Sequence, residues 1–124
     1  MARMTRQREA IERAFVRAGR PLSPPEVHAL ASRKLPTLGL STVYRTLRRL
    51  EEEGLIAAVT VPGEPPRYEL AQIAASHHHH FHCRRCGRVF DIDGCPTGLA
   101  KMAPPGFVVE DHTVVLHGLC DRCR

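Results

Sequence analysis

Ser41-Thr42-Val43-Tyr44-Arg45-Thr46-Leu47-Arg48-Arg49-Leu50-Glu51-Glu52-Glu53 reads as an amphipathic helix. Val43, Leu47 and Leu50 recur at helical spacing and form one apolar face. Tyr44, Arg45, Arg48 and Arg49 fall on the other faces. Ser41 and Thr42 stand at its start, where a hydroxyl caps a helix and the positive helix end suits a phosphate. Arg45 and Arg48 have the reach for base edges or backbone, and Tyr44 for a thymine methyl or a phosphate. The three acids at the far end oppose the helix dipole and are expected to keep that end away from phosphates. Taken alone, the same side chains also describe a solvated helix face.

The flanking segments narrow this choice. Residues 5–18 place Ile11, Ala14, Phe15 and Ala18 on one helical face, and Gly19 ends the run. Ser23-Pro24-Pro25-Glu26 is a helix start: Ser23 the N-cap, Pro24 the first helical position and Glu26 the return arm of a capping box. Val27, Leu30 and Ala31 continue that second helix until Pro36 and Gly39 break it. After the third helix, residues 55–61, the Pro62-Gly63 turn and residues 67–70 read as a two-stranded hairpin. Three helices and a hairpin in this order predict a winged helix-turn-helix, with the third helix entering a DNA major groove.

The rest of the chain has a different chemistry. All 5 Cys and 7 of the 8 His lie beyond residue 76, whereas the first 70 residues hold most of the +5 net charge. Cys83-x-x-Cys86 and Cys120-x-x-Cys123 are two thiolate pairs that together complete a closed, tetrahedral four-sulfur zinc site. The rival reading, a redox CxxC, needs a strand-to-helix context, and Cys83 instead ends a His-rich strand. That strand is His77-His78-His79-His80-Phe81-His82. Side chains alternate along a strand, so His78 and His80 point one way and His77 and His79 the other. One segment thus has ligands for two sites. Glu69 is placed to join the first pair and His112, within a predicted strand at 110–116, the second. A solvated His-rich strand is the bland alternative. Few large apolar side chains follow residue 76, so a metal staple would supply the stability a core does not.

Composition bounds the function. Hydrophobic residues make up 43% and charged residues 25% of the 124, which suits a globular protein and one or two small domains. No apolar run approaches the ~18 residues of a membrane span. The charged opening segment is not expected to act as a secretory signal, so a cytoplasmic chain without a membrane partner is expected. With no Trp, 2 Tyr and 4 Phe, a stacking platform for single-stranded nucleic acid is not expected.

Taken together, several motifs resemble the ferric uptake regulator superfamily over nearly the whole length. They are Thr5-x-Gln7-Arg8, the segments at 21–28 and 38–47, Arg67-Tyr68-Glu69-Leu70, the His run and both CxxC pairs. The resemblance implies an α+β protein: a winged helix-turn-helix DNA-binding domain over 1–70, a hinge over 71–76, and a small α/β dimerisation domain over 77–124 stapled by zinc. It implies a homodimeric, metal-dependent repressor of double-stranded operator DNA. Carried over by position, Cys83, Cys86, Cys120 and Cys123 match the structural zinc site. Glu69, His78 and His80 match the regulatory site, filled by zinc or by iron(II) or manganese(II). His77, His79 and His112 match a further site. Ser41, Thr42, Tyr44, Arg45, Arg48 and Arg49 are the expected DNA contacts.

Two positions depart from the family pattern. Gly19-Arg20-Pro21 has no ligand where a His is common, which leaves His28 as a substitute. Residues 93–99 have no Glu for the further site, but they contain Cys95, expected at a helix N-terminus that would favour its thiolate. The nitrogen-rich donors suit zinc, so a zinc uptake regulator is the leading expectation, with an iron or peroxide sensor of the same superfamily next. A zinc-dependent hydrolase is the alternative of another class, although no HExxH-like arrangement is present.

Overall fold

The computed structural model describes residues 2–75 and 79–124. His77 and His78, named above as ligands, lie outside the described residues. The chain divides into two compact units, Met1–Ser76 and His77–Arg124.

In the first unit, helices α1 (Ala2–Ala18), α2 (Pro24–Ala31) and α3 (Leu40–Glu52) precede strands β1 (Ile56–Val59) and β2 (Arg67–Leu70). The apolar stripes face one core. Ile11, Ala14 and Phe15 of α1, Val27 and Ala31 of α2, and Val43, Leu47 and Leu50 of α3 are all buried, with Leu22, Leu38 and Ile56 between them. Gly19 closes α1 in the left-handed region (φ 62°), its N–H bonding the Phe15 carbonyl at 3.1 Å. The hairpin pairs antiparallel from Ile56↔Leu70 to Val59↔Arg67. Its tip is a Val61–Glu64 turn in which Pro62 presets φ, Gly63 takes φ 79°, and the Glu64 N–H reaches the Val61 carbonyl at 3.0 Å. Leu22 adds a bridge to Tyr68, tying the α1–α2 connection to the hairpin.

The start of α2 is built as its sequence predicts. The Ser23 hydroxyl accepts from the Glu26 N–H, and the Glu26 carboxylate accepts from the Ser23 N–H at 3.0 Å and from Arg20 at 2.8 Å. Burial alone would push the Glu26 carboxyl up. The Ser23 N–H and the Arg20 guanidinium outweigh it and hold the group below its usual range. A carboxyl lowered in the folded state stabilises fully above its unfolded value of about 4.3, and that contribution is lost as pH falls through the lower folded value. Ser23→Ala is expected to cost about 1 kcal/mol in urea unfolding. Glu26→Gln should flatten the acid side of the stability profile. Unchanged midpoints and acid limb would show that the box is inert.

One expectation about this unit needs correction. Ser41 and Thr42 do not cap α3. Gly39, extended at φ −89° and ψ 156°, is its N-cap and makes no side-chain cap bond, so the helix opens one residue earlier, at Leu40. The segment read as a hinge, residues 71–76, begins with a helical turn, α4 (Ala71–Ala74). Its Ala-rich sequence favours helix, and the Ala71 N–H is anchored on the Leu55 carbonyl at 3.0 Å.

The second unit is a three-stranded sheet in the order β4-β3-β5: β3 (His79–Cys83) flanked by β4 (Val89–Ile92) and β5 (Val115–Gly118). The first pairing is antiparallel, His79↔Ile92 to His82↔Val89, and the second parallel, His80↔Val115 to Cys83↔Gly118. A 3₁₀ turn at Leu99–Met102 lies in the long connection between β4 and β5. The topology brings the end of β4 and the start of β5 to the N-terminal end of β3. It brings the start of β4 and the end of β5 to the other end. No helix among the described residues is long and apolar enough to cross a membrane.

Candidate metal centres and nucleic-acid interface

Because β3 and β5 run parallel and end in register, the residues that follow each strand emerge together. Cys83 closes β3, and Cys120 lies two residues beyond β5. The sulfurs of Cys83, Cys86, Cys120 and Cys123 all lie within 4.8 Å of one another, with Cys86 and Cys120 at 3.9 Å. Tetrahedral zinc with ~2.3 Å bonds has sulfur–sulfur edges of about 3.8 Å, so the donor set fits zinc. Turns hold each pair: the Gly87 N–H bonds the Cys83 carbonyl at 2.9 Å, and the Cys123 N–H bonds the Cys120 carbonyl at 3.0 Å. Arg85 joins the two turns by donating to the Cys123 carbonyl at 2.9 Å.

The electrostatics also call for a cation. The Cys86 N–H, and after it the Cys120 N–H, donate to the Cys83 sulfur and lower its thiol to about 6. The Cys123 thiol is pushed up to about 12, first by its hydrogen bond with Cys120 and then by burial. One thiolate is stabilised at its neighbour's expense, and further ionisation needs a compensating positive charge.

At the other end of β3 the alternation of side chains separates two sets of donors. His80 faces Asp91, its register partner on β4, with Nε2 3.2 Å from the carboxylate. Asp91 was missed in the sequence; the alternating Val89-Phe90-Asp91-Ile92 pattern signals a strand but not the residue it opposes. His79 points the other way and is 2% exposed. Its ring lies 5.1 Å from that of His112, and the Cys95 sulfur lies 2.8 Å from His112 Nε2. The donors of His79, Cys95 and His112 all fall within 4.8 Å of one another.

The positions of Cys95 and His112 differ from expectation. Cys95 does not begin a helix: Gly98, three residues on, is left-handed at φ 83° and interrupts any first turn, and the 3₁₀ turn starts only at Leu99. His112 lies ahead of the strand, which begins at Val115. Glu69 is the third residue of β2, in register with Ala57. His28 has a structural partner: its Nε2 lies 2.9 Å from the Leu38 carbonyl and joins α2 to the loop before α3. A second unforeseen pair, His82 and His117, meets in register across β3 and β5 with Nδ1 atoms 3.2 Å apart.

In the first unit, α3 buries its apolar face and leaves Ser41, Tyr44, Arg45, Arg48 and Arg49 exposed, with Thr42 half-buried. Thr42 accepts from the Arg45 guanidinium at 3.2 Å. With no side-chain cap, the first N–H groups of α3 remain available to an anion. A groove of 520 Å³ lies between α1 and α3, lined by Thr5, Gln7, Arg8, Arg45, Thr46 and Arg49 among others. The α1 residues were not among the expected contacts, because their distance in sequence hides their approach to α3. Arg8 also pairs with Glu53 at 2.6 Å and with Glu12 at 3.1 Å. One of the three acids closing α3 thus fastens it to α1.

The sequence matches the ferric uptake regulator family over residues 1–117. It is 34% identical over 127 residues to the ferric uptake regulation protein of Bacillus subtilis (strain 168), covering 98% of this chain and 85% of that one. Among solved structures, a zinc-bound manganese uptake regulator superposes with a TM-score of 0.78 at 26% identity, covering 92% of this chain and 87% of that one. FurB of M. tuberculosis, a zinc uptake regulator, gives 0.53 at 30% identity, covering 99% and 96%. Thiol and imidazole clusters, in one chain with a basic helical unit, thus define a metal-responsive transcriptional regulator and not an enzyme. The chain belongs to the ferric uptake regulator family. This membership removes the hydrolase alternative.

Proposed function

We propose that the chain is a zinc-sensing repressor of metal-uptake genes, acting in the cytoplasm as a homodimer on double-stranded operator DNA. The observation that carries the reading is the donor set: four sulfurs within 4.8 Å at one end of β3, and His79, Cys95 and His112 gathered within 4.8 Å of one another near the other. Thiolate and imidazole donors suit zinc. The four cysteines are the structural site. Glu69, His78 and His80 are the regulatory ligands, and Asp91 is added to them through its pairing with His80. The carboxylates favour a second reading, iron(II) or manganese(II) at the regulatory site.

Residues 1–70 are proposed as the winged helix-turn-helix, 71–76 as the hinge and 77–124 as the dimerisation domain. Glu69 stands one residue before the end of β2, and His78 and His80 flank the start of β3. When bound, the regulatory cation would supply a crosslink between ligands on both sides of the hinge. Ligand affinity for one arrangement alone shifts the population toward it, here the DNA-competent one. The second copy is supported by the exposed apolar side chains of Phe107, Val108 and Leu116, 71%, 85% and 51% exposed, which a partner surface would cover.

The test is to select operators from random duplex DNA and compare binding with zinc, iron(II) and manganese(II). A two-fold dimer should select a pseudo-palindromic site containing A·T pairs. Arg45→Ala should weaken binding across all sequences and reduce the salt slope by about 1. Tyr44→Ala should relax sequence preference instead. Equal affinity of the wild type and Arg45→Ala at every salt concentration would exclude this docking, and binding indifferent to metal would exclude the sensor.

A further inference from the structure

We infer that Cys95 is a thiolate ligand in a third cation site, formed with His79 and His112, which selects a soft or borderline divalent ion such as zinc. The inference deepens the metal-sensing reading and rests on it only for what occupancy does to DNA binding.

The geometry follows from the sheet. His79 opens β3 and pairs with Ile92, the last residue of β4. Three residues on, after Gly94 at φ 94°, the chain has brought Cys95 back toward His79. His112 arrives from the other side, in the segment that leads into β5, whose first residue Val115 pairs with His80. Three donors from three separate segments therefore converge on one end of the sheet. The position is fixed at its base: His79 is buried, and its Nδ1 lies 3.1 Å from the Val114 backbone N–H. Asp111 accepts from the His112 N–H at 2.8 Å and shapes that turn.

The distances suit one ion better than a simple thiol–imidazole contact. Tetrahedral zinc places nitrogen and sulfur ligands about 3.3–3.6 Å apart. The three donors lie within 4.8 Å of one another, and the closest pair, Cys95 and His112, is at 2.8 Å. Shifts of less than about 1 Å per donor close the set around a cation. Cys95 and His112 are also reachable: the thiol is exposed and the imidazole half-buried. A thiolate among the ligands disfavours iron(II) and manganese(II) relative to zinc or cobalt(II). The site therefore carries a metal preference of its own, separate from that of Glu69, His78 and His80.

The experiment is a cobalt(II) titration of the full chain purified with one zinc per chain in its four-cysteine site, followed by near-ultraviolet absorption. The signal is the difference between the wild type and Cys95→Ser, which cancels any cobalt that enters the four-cysteine cluster. A sulfur-to-cobalt charge-transfer band is expected in that difference, saturating at one ion per chain and surviving in His80→Ala. Cys95→Asp should still bind cobalt but lose the band, which separates a lost ligand from a lost fold. Zinc affinity at the site should fall at least about tenfold in Cys95→Ser, as no ligand should matter less than an outer-shell partner. A null difference spectrum, or a band in Cys95→Asp equal to that of the wild type, overturns the inference. A wild type that shows the band yet binds operator without regard to metal would overturn the sensor reading and leave this site standing.

Discussion

Cys120→Ser is expected to release the zinc proposed for the four-cysteine site and to unfold residues 77–124 while the helical unit stays folded. The expectation follows from what each unit buries. In the first, more than a dozen apolar side chains from α1, α2, α3 and the hairpin are buried. Among the described residues of the second, the buried apolar side chains are Cys83, Val89 and Cys120. So small a core rarely supplies more than about 3–5 kcal/mol, whereas zinc in a four-ligand structural site supplies about 10–16 kcal/mol. Replacing one thiolate by a hydroxyl removes a ligand and leaves three sulfurs without a common cation. Elemental analysis should show the loss of zinc, size-exclusion chromatography a monomer, and far-ultraviolet circular dichroism the persistence of the helices. A variant that keeps one zinc per chain and its dimer would show that these cysteines are not the staple.

What the sequence made legible was what is local or strictly spaced. The Ser23 box, the stripe of Val43, Leu47 and Leu50, and the Pro62-Gly63 turn are decided within a few residues of chain, where periodicity and turn chemistry act directly. The two CxxC pairs were legible because a fixed spacing dictates a ligand geometry. What escaped depended on pairing between segments. Asp91 meets His80 across the β3–β4 pairing, and that contact follows from register, which the sequence does not print. Thr5, Gln7 and Arg8 reach the α3 groove through the packing of α1. The helix expected to begin at Cys95 is absent because Gly98 is left-handed where its first turn would run. The contact with His112 arises instead from the turn at Gly94 and the route of the chain into β5.

His80→Ala is expected to abolish the increase in operator affinity that metal produces, while the zinc of the four cysteines is retained. Coupling between two ligands in such proteins is typically about 1–3 kcal/mol, or about 5–150-fold in affinity. The variant should bring that ratio to about 1. His80 is singled out because it faces an acidic group within its own unit: Asp91, at 3.2 Å on the neighbouring strand. An imidazole and a carboxylate from adjacent strands are already oriented toward each other, so removing the ring removes one proposed ligand of an ordered pair. Truncation also leaves Asp91 without that neighbour, so the variant alone does not separate lost ligation from local damage. Asp91→Asn does: it keeps the shape and a hydrogen-bonding oxygen but removes the charge, and should weaken metal-induced binding without affecting the zinc count or the dimer. Reciprocity gives an independent check, since operator DNA must tighten metal binding by the same factor that metal tightens DNA binding. Both factors should fall together in His80→Ala. Metal-dependent operator binding that survives in His80→Ala would place the switch elsewhere, and the cation of His79, Cys95 and His112 would then be the next to test.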